Sequence, residues 1–241
     1  MDEILKVENL SVQFNNKKGL FSPPSVKKVL NNVCFGIKNG EIVGLLGESG
    51  SGKSTIAKAI LGMVPYTGKI THGSAKPQMV FQDPYSSLNP SKKVGWLLKE
   101  ALYLDGERDK EVLDKAASDM INMVGLSDEF LIRYPNELSG GQRQRVCIGL
   151  SLMQNPKLLI ADEPVSALDV TIQAQILKLL DELQEKMGLS ILFISHDLRV
   201  VYNVCDRVLV LKNGVIVEEG DPKEVYSSPK HEYTKQLLDS L

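Results

Sequence analysis

Eight consecutive residues, Gly47-Glu48-Ser49-Gly50-Ser51-Gly52-Lys53-Ser54, carry glycine, lysine and hydroxyl at the spacing G-x-x-x-x-G-K-[ST]. Glycines so spaced let backbone N–H groups converge on phosphate oxygens, the lysine adds a point charge, and Ser54 can hold Mg²⁺. A helix that starts there adds its positive end. The flanks fit: Glu41 to Leu46 is apolar and β-compatible, and Thr55 to Leu61 places Ile56, Ala59 and Ile60 on one helical face. The competing reading, a flexible glycine turn, requires the four fixed positions, Gly47, Gly52, Lys53 and Ser54, to match by accident.

Carboxylates stand where such a loop needs them. Leu158-Leu159-Ile160-Ala161-Asp162-Glu163 reads as a buried parallel strand ending in two acids. Asp162 is placed for a Mg²⁺ shell, and Glu163, one residue on, for orienting and deprotonating an attacking water. Ser195-His196-Asp197 ends a second strand of this kind, Ile191 to Ile194, where an imidazole can meet a γ-phosphate. Gln82 closes a third strand, Gln78 to Phe81; composition alone makes it a surface residue. Leu138-Ser139-Gly140-Gly141-Gln142 precedes the apolar run Val146, Ile148, Leu150, Leu152 and Met153, so a helix start there is either an anion site or a simple cap. Asp169 either caps the following helix or joins the site. Phe14, ending the first strand, can stack on a base or plug the core, with Phe21 the competing candidate.

The elements that must position these residues follow from period and turn residues. Ile4 to Phe14 and Val29 to Ile37 read as strands, separated by a loop over Asn15–Gly19 and Ser22–Ser25 and followed by the turn Asn39-Gly40. With a short strand at Lys69–Thr71 nearby, the N-terminal part reads as a small antiparallel sheet. From Ser91 the period becomes helical, with faces Val94, Leu97, Leu98, Ala101, Leu102 and Val112, Leu113, Ala116, Met120, Met123, up to Tyr134-Pro135. Ile172, Ile176, Leu179, Leu180 and Leu183 form another helix that Gly188 stops. Arg207 to Glu218 is a hairpin about Asn213-Gly214, and Tyr233, Leu237, Leu238 and Leu241 are spaced as a last helix without evident chemistry.

The 241 residues suit one large domain, and a net charge of -2 with pI near 6.0 disfavours a nucleic-acid partner. Three dispersed cysteines, Cys34, Cys147 and Cys205, fit buried free thiols in a reducing compartment. With no apolar run long enough to span a bilayer and no signal-peptide pattern after Met1, the chain is expected to be cytosolic.

In this order the motifs resemble those of an ATP-binding cassette ATPase over essentially the full length. The resemblance implies an α/β fold: a P-loop NTPase, RecA-like core with an N-terminal antiparallel β-subdomain (1–82 and 151–241 together) and an inserted helical subdomain (83–150) bearing the signature. It implies ATP and Mg²⁺, with the nucleotide on Gly47 to Ser54 and on Thr55, and Phe14 beside Phe21 as the candidate for stacking on its base. Ser139, Gly140, Gly141, Gln142 and Asp169 would close over the ATP of a second cassette, identical or not. Ser54, Gln82 and Asp162 would serve the metal, with Glu163 as base, His196 on the γ-phosphate and Gln82 also touching a transmembrane partner.

Gln82-Asp83-Pro84-Tyr85-Ser86-Ser87-Leu88-Asn89-Pro90 is similar to the segment of importers of the dipeptide, oligopeptide and nickel group, as are the loop at 15–28 and His231-Glu232-Tyr233-Thr234. That implies two permease subunits, an extracellular binding protein acting indirectly, and a place on the cytoplasmic face of the membrane. The span from Lys53 to Gln82 is short for the group, and Leu150 stands where arginine is usual. Cargo therefore reads as peptide or nickel or metal chelate. The alternative is a soluble cassette ATPase acting on ribosomes or DNA.

Overall fold

The N-terminal alternation becomes two long antiparallel strands, β1 (Glu3–Asn16) and β2 (Ser25–Lys38), paired from Glu3 with Lys38 to Asn16 with Ser25. The computed structural model describes residues 3–16, 25–73, 76–166 and 168–239. Part of the span expected as a loop, Asn15–Ser25, is therefore strand. Asn15, Asn16 and Ser25 lie in the ladder, where cross-strand pairing overrides their weak β-propensity, and residues 17–24, with Phe21, lie outside the described residues.

The chain continues through β3 (Ile42–Leu46), α1 (Lys53–Ile60), β4 (Thr67–His72), β5 (Gln78–Val80), α2 (Pro84–Ser87), α3 (Val94–Leu104) and α4 (Lys110–Met123). After two short 3-10 turns come α5 (Gly140–Leu152), β6 (Leu158–Asp162), α6 (Val170–Met187), β7 (Ser190–Ser195), α7 (Leu198–Val204), β8 (Arg207–Lys212), β9 (Val215–Gly220), α8 (Pro222–Ser227) and α9 (Glu232–Asp239). The chain divides into two compact units, Met1–Pro77 with Ser190–Leu241, and Gln78–Leu189.

In the first unit β4 pairs antiparallel with β1 and completes the expected small sheet. A second set of strands centres on β3, which lies parallel to both β7 and β8, while β9 folds back antiparallel on β8. β3 and β7 are buried at every residue, as expected of parallel strands covered on both faces. The β8–β9 hairpin turns on Asn213 and Gly214, both at positive φ (48° and 77°), the geometry of a type I′ turn. A Cβ on Gly214 would meet the Val29 carbonyl oxygen at 2.0 Å, so this tip presses on β2.

In the second unit β5 and β6 are parallel neighbours, and β6 is wholly buried. The helices α3, α4 and α5 pack together: Gly149 of α5 faces Met120 and Val124 of α4's end and Leu98 of α3. The buried stripe of α4 is Leu113, Ala117, Met120 and Ile121, whereas Val112 and Met123, expected to face inward, are 48% and 37% exposed. The 113-117-120-121 spacing closes a tighter stripe than the 112-116-123 set, and α3 and α5 select it. Of the three cysteines expected to be buried, Cys147 and Cys205 are, but Cys34 is exposed on β2.

Candidate functional site

In the first unit the glycine loop connects β3 to α1. Lys53 opens α1, is only 6% exposed, and its Nζ donates to the carbonyl oxygens of Gly47 (2.6 Å) and Glu48 (3.0 Å). The ammonium is therefore parked across the mouth of its own loop. Glu48, Ser49 and Gly50 are exposed, whereas Ser51 is buried and its Oγ has no hydrogen-bond partner among the described residues. Among the described residues no side chain caps α1. An orphaned hydroxyl, a buried ammonium and an uncapped helix start are the donor set that phosphate oxygens satisfy. Ser54 and Thr55 follow on the first turn, both half-buried.

β7 brings His196 to the same edge. Leu46 pairs with Ser195, so Gly47 and His196 leave the ends of adjacent parallel strands, and His196 is exposed there. Asp197 caps α7 and holds Arg199 through two bonds of 3.1 and 3.0 Å. Those bonds, foremost among the causes, hold its carboxyl below the usual range. Phe14, opposite Lys27 in the β1–β2 ladder, is 37% exposed and open to a planar partner.

In the second unit Val80 pairs with Ala161, so Gln82 and Glu163 follow neighbouring strand ends. The two side chains meet: Gln82 Nε2 donates to Glu163 Oε2 at 2.9 Å. Glu163 has φ +48°, a left-handed conformation unfavourable for a residue with a Cβ, and its carbonyl accepts from the Ser166 N–H and hydroxyl. Asp162, one residue earlier, is 5% exposed at the strand end. No cluster of three or more His, Cys, Asp or Glu among the described residues forms a metal cage. Within this unit a buried carboxylate at one strand end and an amide side chain after the neighbouring strand offer the oxygen donors that a hard cation takes.

The helix start at Gly140 resolves into a capping box, with Ser139 Oγ accepting from the Gln142 N–H (3.3 Å) and Gln142 Oε1 from the Ser139 N–H (2.9 Å). Gly141 abuts α6, where a Cβ would meet Ile172 Cγ2 at 2.6 Å, whereas Gly140 has room. Asp169 caps α6 through the Ile172 N–H at 3.0 Å and is itself exposed.

Residues 30–166 match the ABC transporter family. The chain belongs to that family. It is 42% identical over 251 residues to the dipeptide transport ATP-binding protein DppF of Escherichia coli, covering 98% of this chain and 75% of that protein. It is 44% identical over 259 residues to the oligopeptide transport ATP-binding protein OppF of Haemophilus influenzae, covering 99% and 78%. Among solved structures, cbiO1 of Clostridium perfringens, part of an ABC transporter complex, superposes with TM-score 0.81 at 30% identity over 95% of this chain and 92% of that one. A dimeric ATP-binding cassette with ADP and Pi bound after hydrolysis gives 0.79 at 29% identity over 90% and 98%. The α/β P-loop NTPase fold is thereby established, and the chain is an ABC ATPase that binds ATP and couples its hydrolysis to transport.

One contact in the first unit had no signal in the sequence. The Tyr233 hydroxyl of α9 accepts the Glu48 N–H of the glycine loop at 3.1 Å. The two residues are 185 positions apart, and the helical period that located α9 says only that Tyr233 faces inward.

Proposed function

We propose that this chain is the peripheral, cytoplasmic-face motor of an importer for short peptides, working with two permease subunits, a second cassette and, indirectly, an extracellular binding protein. The supporting observation is similarity sustained over nearly the whole chain to dipeptide and oligopeptide transport ATP-binding proteins. No helix among the described residues is long and apolar enough to cross a membrane, so in this reading the permease path is supplied by other chains.

In this reading Lys53, positioned by the Gly47 and Glu48 carbonyls, meets the β- and γ-phosphates, and Ser51 Oγ gains the acceptor it lacks. Phe14 stacks on adenine, and Gly47 to Thr55 line the phosphates. Ser54, Asp162 and Gln82 hold Mg²⁺. When bound, that ion offsets the charge that develops on the phosphates. Glu163 orients and deprotonates the water, and His196 contacts the γ-phosphate. Ser139, Gly140, Gly141, Gln142 and Asp169 close over the nucleotide of the facing cassette, and ATP-driven closure does the mechanical step. Residues 83–150 form the helical subdomain that presents Ser139, Gly140, Gly141 and Gln142.

The test is mass spectrometry of proteins co-purifying with tagged Glu163→Gln, extracted in mild detergent with ATP present. Two membrane subunits and a cassette are expected, and the ligand of the accompanying binding protein separates peptide from nickel or metal chelate. Ribosomal or DNA-bound proteins in their place would overturn the transport reading in favour of a soluble cassette ATPase.

A further inference from the structure

The glycine loop is held from outside at two points, both in the first unit. At the hairpin tip the Gly214 N–H donates to the Ser51 carbonyl at 2.9 Å. At α9 the Tyr233 hydroxyl accepts the Glu48 N–H. That N–H belongs to the peptide group joining Gly47 to Glu48, whose carbonyl, Gly47 O, takes Lys53 Nζ at 2.6 Å. One planar peptide thus carries the tyrosine on one side and the lysine on the other. Because the group is rigid, fixing its N–H fixes the direction of its carbonyl, and with it where the lysine ammonium rests.

The tyrosine is itself held. It is 3% exposed, its ring lies 4.5 Å beneath the Lys212 ammonium of β8, and its N–H donates to His231 Nδ1 at 3.1 Å. Glu218 of β9 anchors the start of α9 by accepting the N–H groups of Lys230 (2.8 Å) and His231 (3.0 Å). Burial pushes the phenol above its ordinary pKa, so it stays a neutral donor and acceptor throughout the working range.

We propose that Tyr233 is a positioning residue for ATP binding, its hydroxyl setting the Gly47–Glu48 peptide and through it Lys53. The proposal rests on the reading of this loop as the phosphate cradle. α9 becomes part of the nucleotide site without touching nucleotide, and the His231-Glu232-Tyr233-Thr234 segment acquires a task.

The test compares Tyr233→Phe, Tyr233→Leu and Lys53→Ala with the parent by calorimetric ATP binding and steady-state hydrolysis. Tyr233→Phe removes one hydroxyl and keeps the ring. It should weaken ATP binding and raise KM by roughly two- to tenfold, the usual worth of one hydrogen bond, with kcat within about twofold, because the lysine grips ground and transition states alike. In the nucleotide-free parent the Glu48 amide should exchange slowly with solvent, and in Tyr233→Phe faster. Parent-like affinity in Tyr233→Phe with loss only in Tyr233→Leu would show that the ring alone matters and overturn the proposal. Exchange of the parent's Glu48 amide at the rate of an open amide would overturn it without any variant. If Lys53→Ala binds ATP as the parent does, the cradle reading itself fails; if Lys53→Ala is impaired and Tyr233→Phe is not, only the role of Tyr233 does.

Discussion

Gln82 and Glu163 are joined side chain to side chain in the second unit, the amide nitrogen of one 2.9 Å from a carboxylate oxygen of the other. The carboxylate proposed to activate water is therefore already engaged by the residue proposed to serve the metal. Glu163 makes that bond from a left-handed φ of 48°.

Replacing Glu163 by Gln keeps the shape and removes the base. ATP turnover is expected to fall by roughly 10²- to 10⁴-fold, the usual worth of a positioned base, while ATP affinity stays within about twofold. Phosphate release and calorimetry measure the two. Near-normal hydrolysis would remove Glu163 from the role.

Gly140 and Gly141 separate packing from chemistry at the signature helix. A methyl on Gly141 would be driven into Ile172 Cγ2, and one on Gly140 would reach only ordinary contact, 3.5 Å from Leu168 Cδ2. Gly141→Ala should destabilise the chain by about 1–3 kcal/mol through overpacking; Gly140→Ala should melt as the parent does and lose ATPase only. Equal thermal shifts in the two would show that the clash relaxes at no cost.

The places of the candidate residues are legible because each is local: a glycine loop after an apolar run, two acids closing another, a histidine closing a third. Strands with every residue buried, such as β6 and β7, need nothing but neighbouring sequence to be recognised. Short helices were illegible, since α2 and α8, of four and six residues, are too brief to show a period. The inward face of α4 departs from its own periodicity because packing against α3 and α5 chooses it. The Tyr233–Glu48 bond was invisible for the same reason, and Asp169 and Ser139 turned out to be caps as well as candidates, since one carboxylate or hydroxyl can serve both uses.

The thiols should divide two to one. Burial, with Asp83 nearby, pushes Cys147 up to about 12, and burial pushes Cys205 up as well, whereas Cys34 is exposed. A thiol reagent at neutral pH should titrate one cysteine in the native chain and three after denaturation. Rapid native labelling of Cys147 would mean that α5 opens far more readily than its packing implies.

Acid should weaken the first unit partly through Glu41. Its carboxylate takes Arg207 Nε at 2.8 Å and Nη2 at 3.1 Å together with the Lys38 N–H at 2.7 Å, and Arg207 also bonds Gly36 O at 2.6 Å and the Glu219 carboxylate. The group ties the end of β2 to the starts of β3 and β8. Burial alone would raise the Glu41 pKa, but the bonds from Arg207 and Lys38 outweigh it and hold the carboxyl below its ordinary value of 4.5. A depressed folded pKa stabilises the fold fully above the unfolded value and loses that contribution as pH falls through the folded one. Glu41→Gln should therefore melt below the parent at neutral pH, by less than about 1 kcal/mol for a pair partly open to solvent, and the gap should close as pH drops below 4.5. Asp197 and Glu218 are also held low, so both chains keep some acid sensitivity. Thermal melts of the two across that range measure the difference, and a gap that stays constant with pH would assign the loss to packing of the side chain and not to its charge.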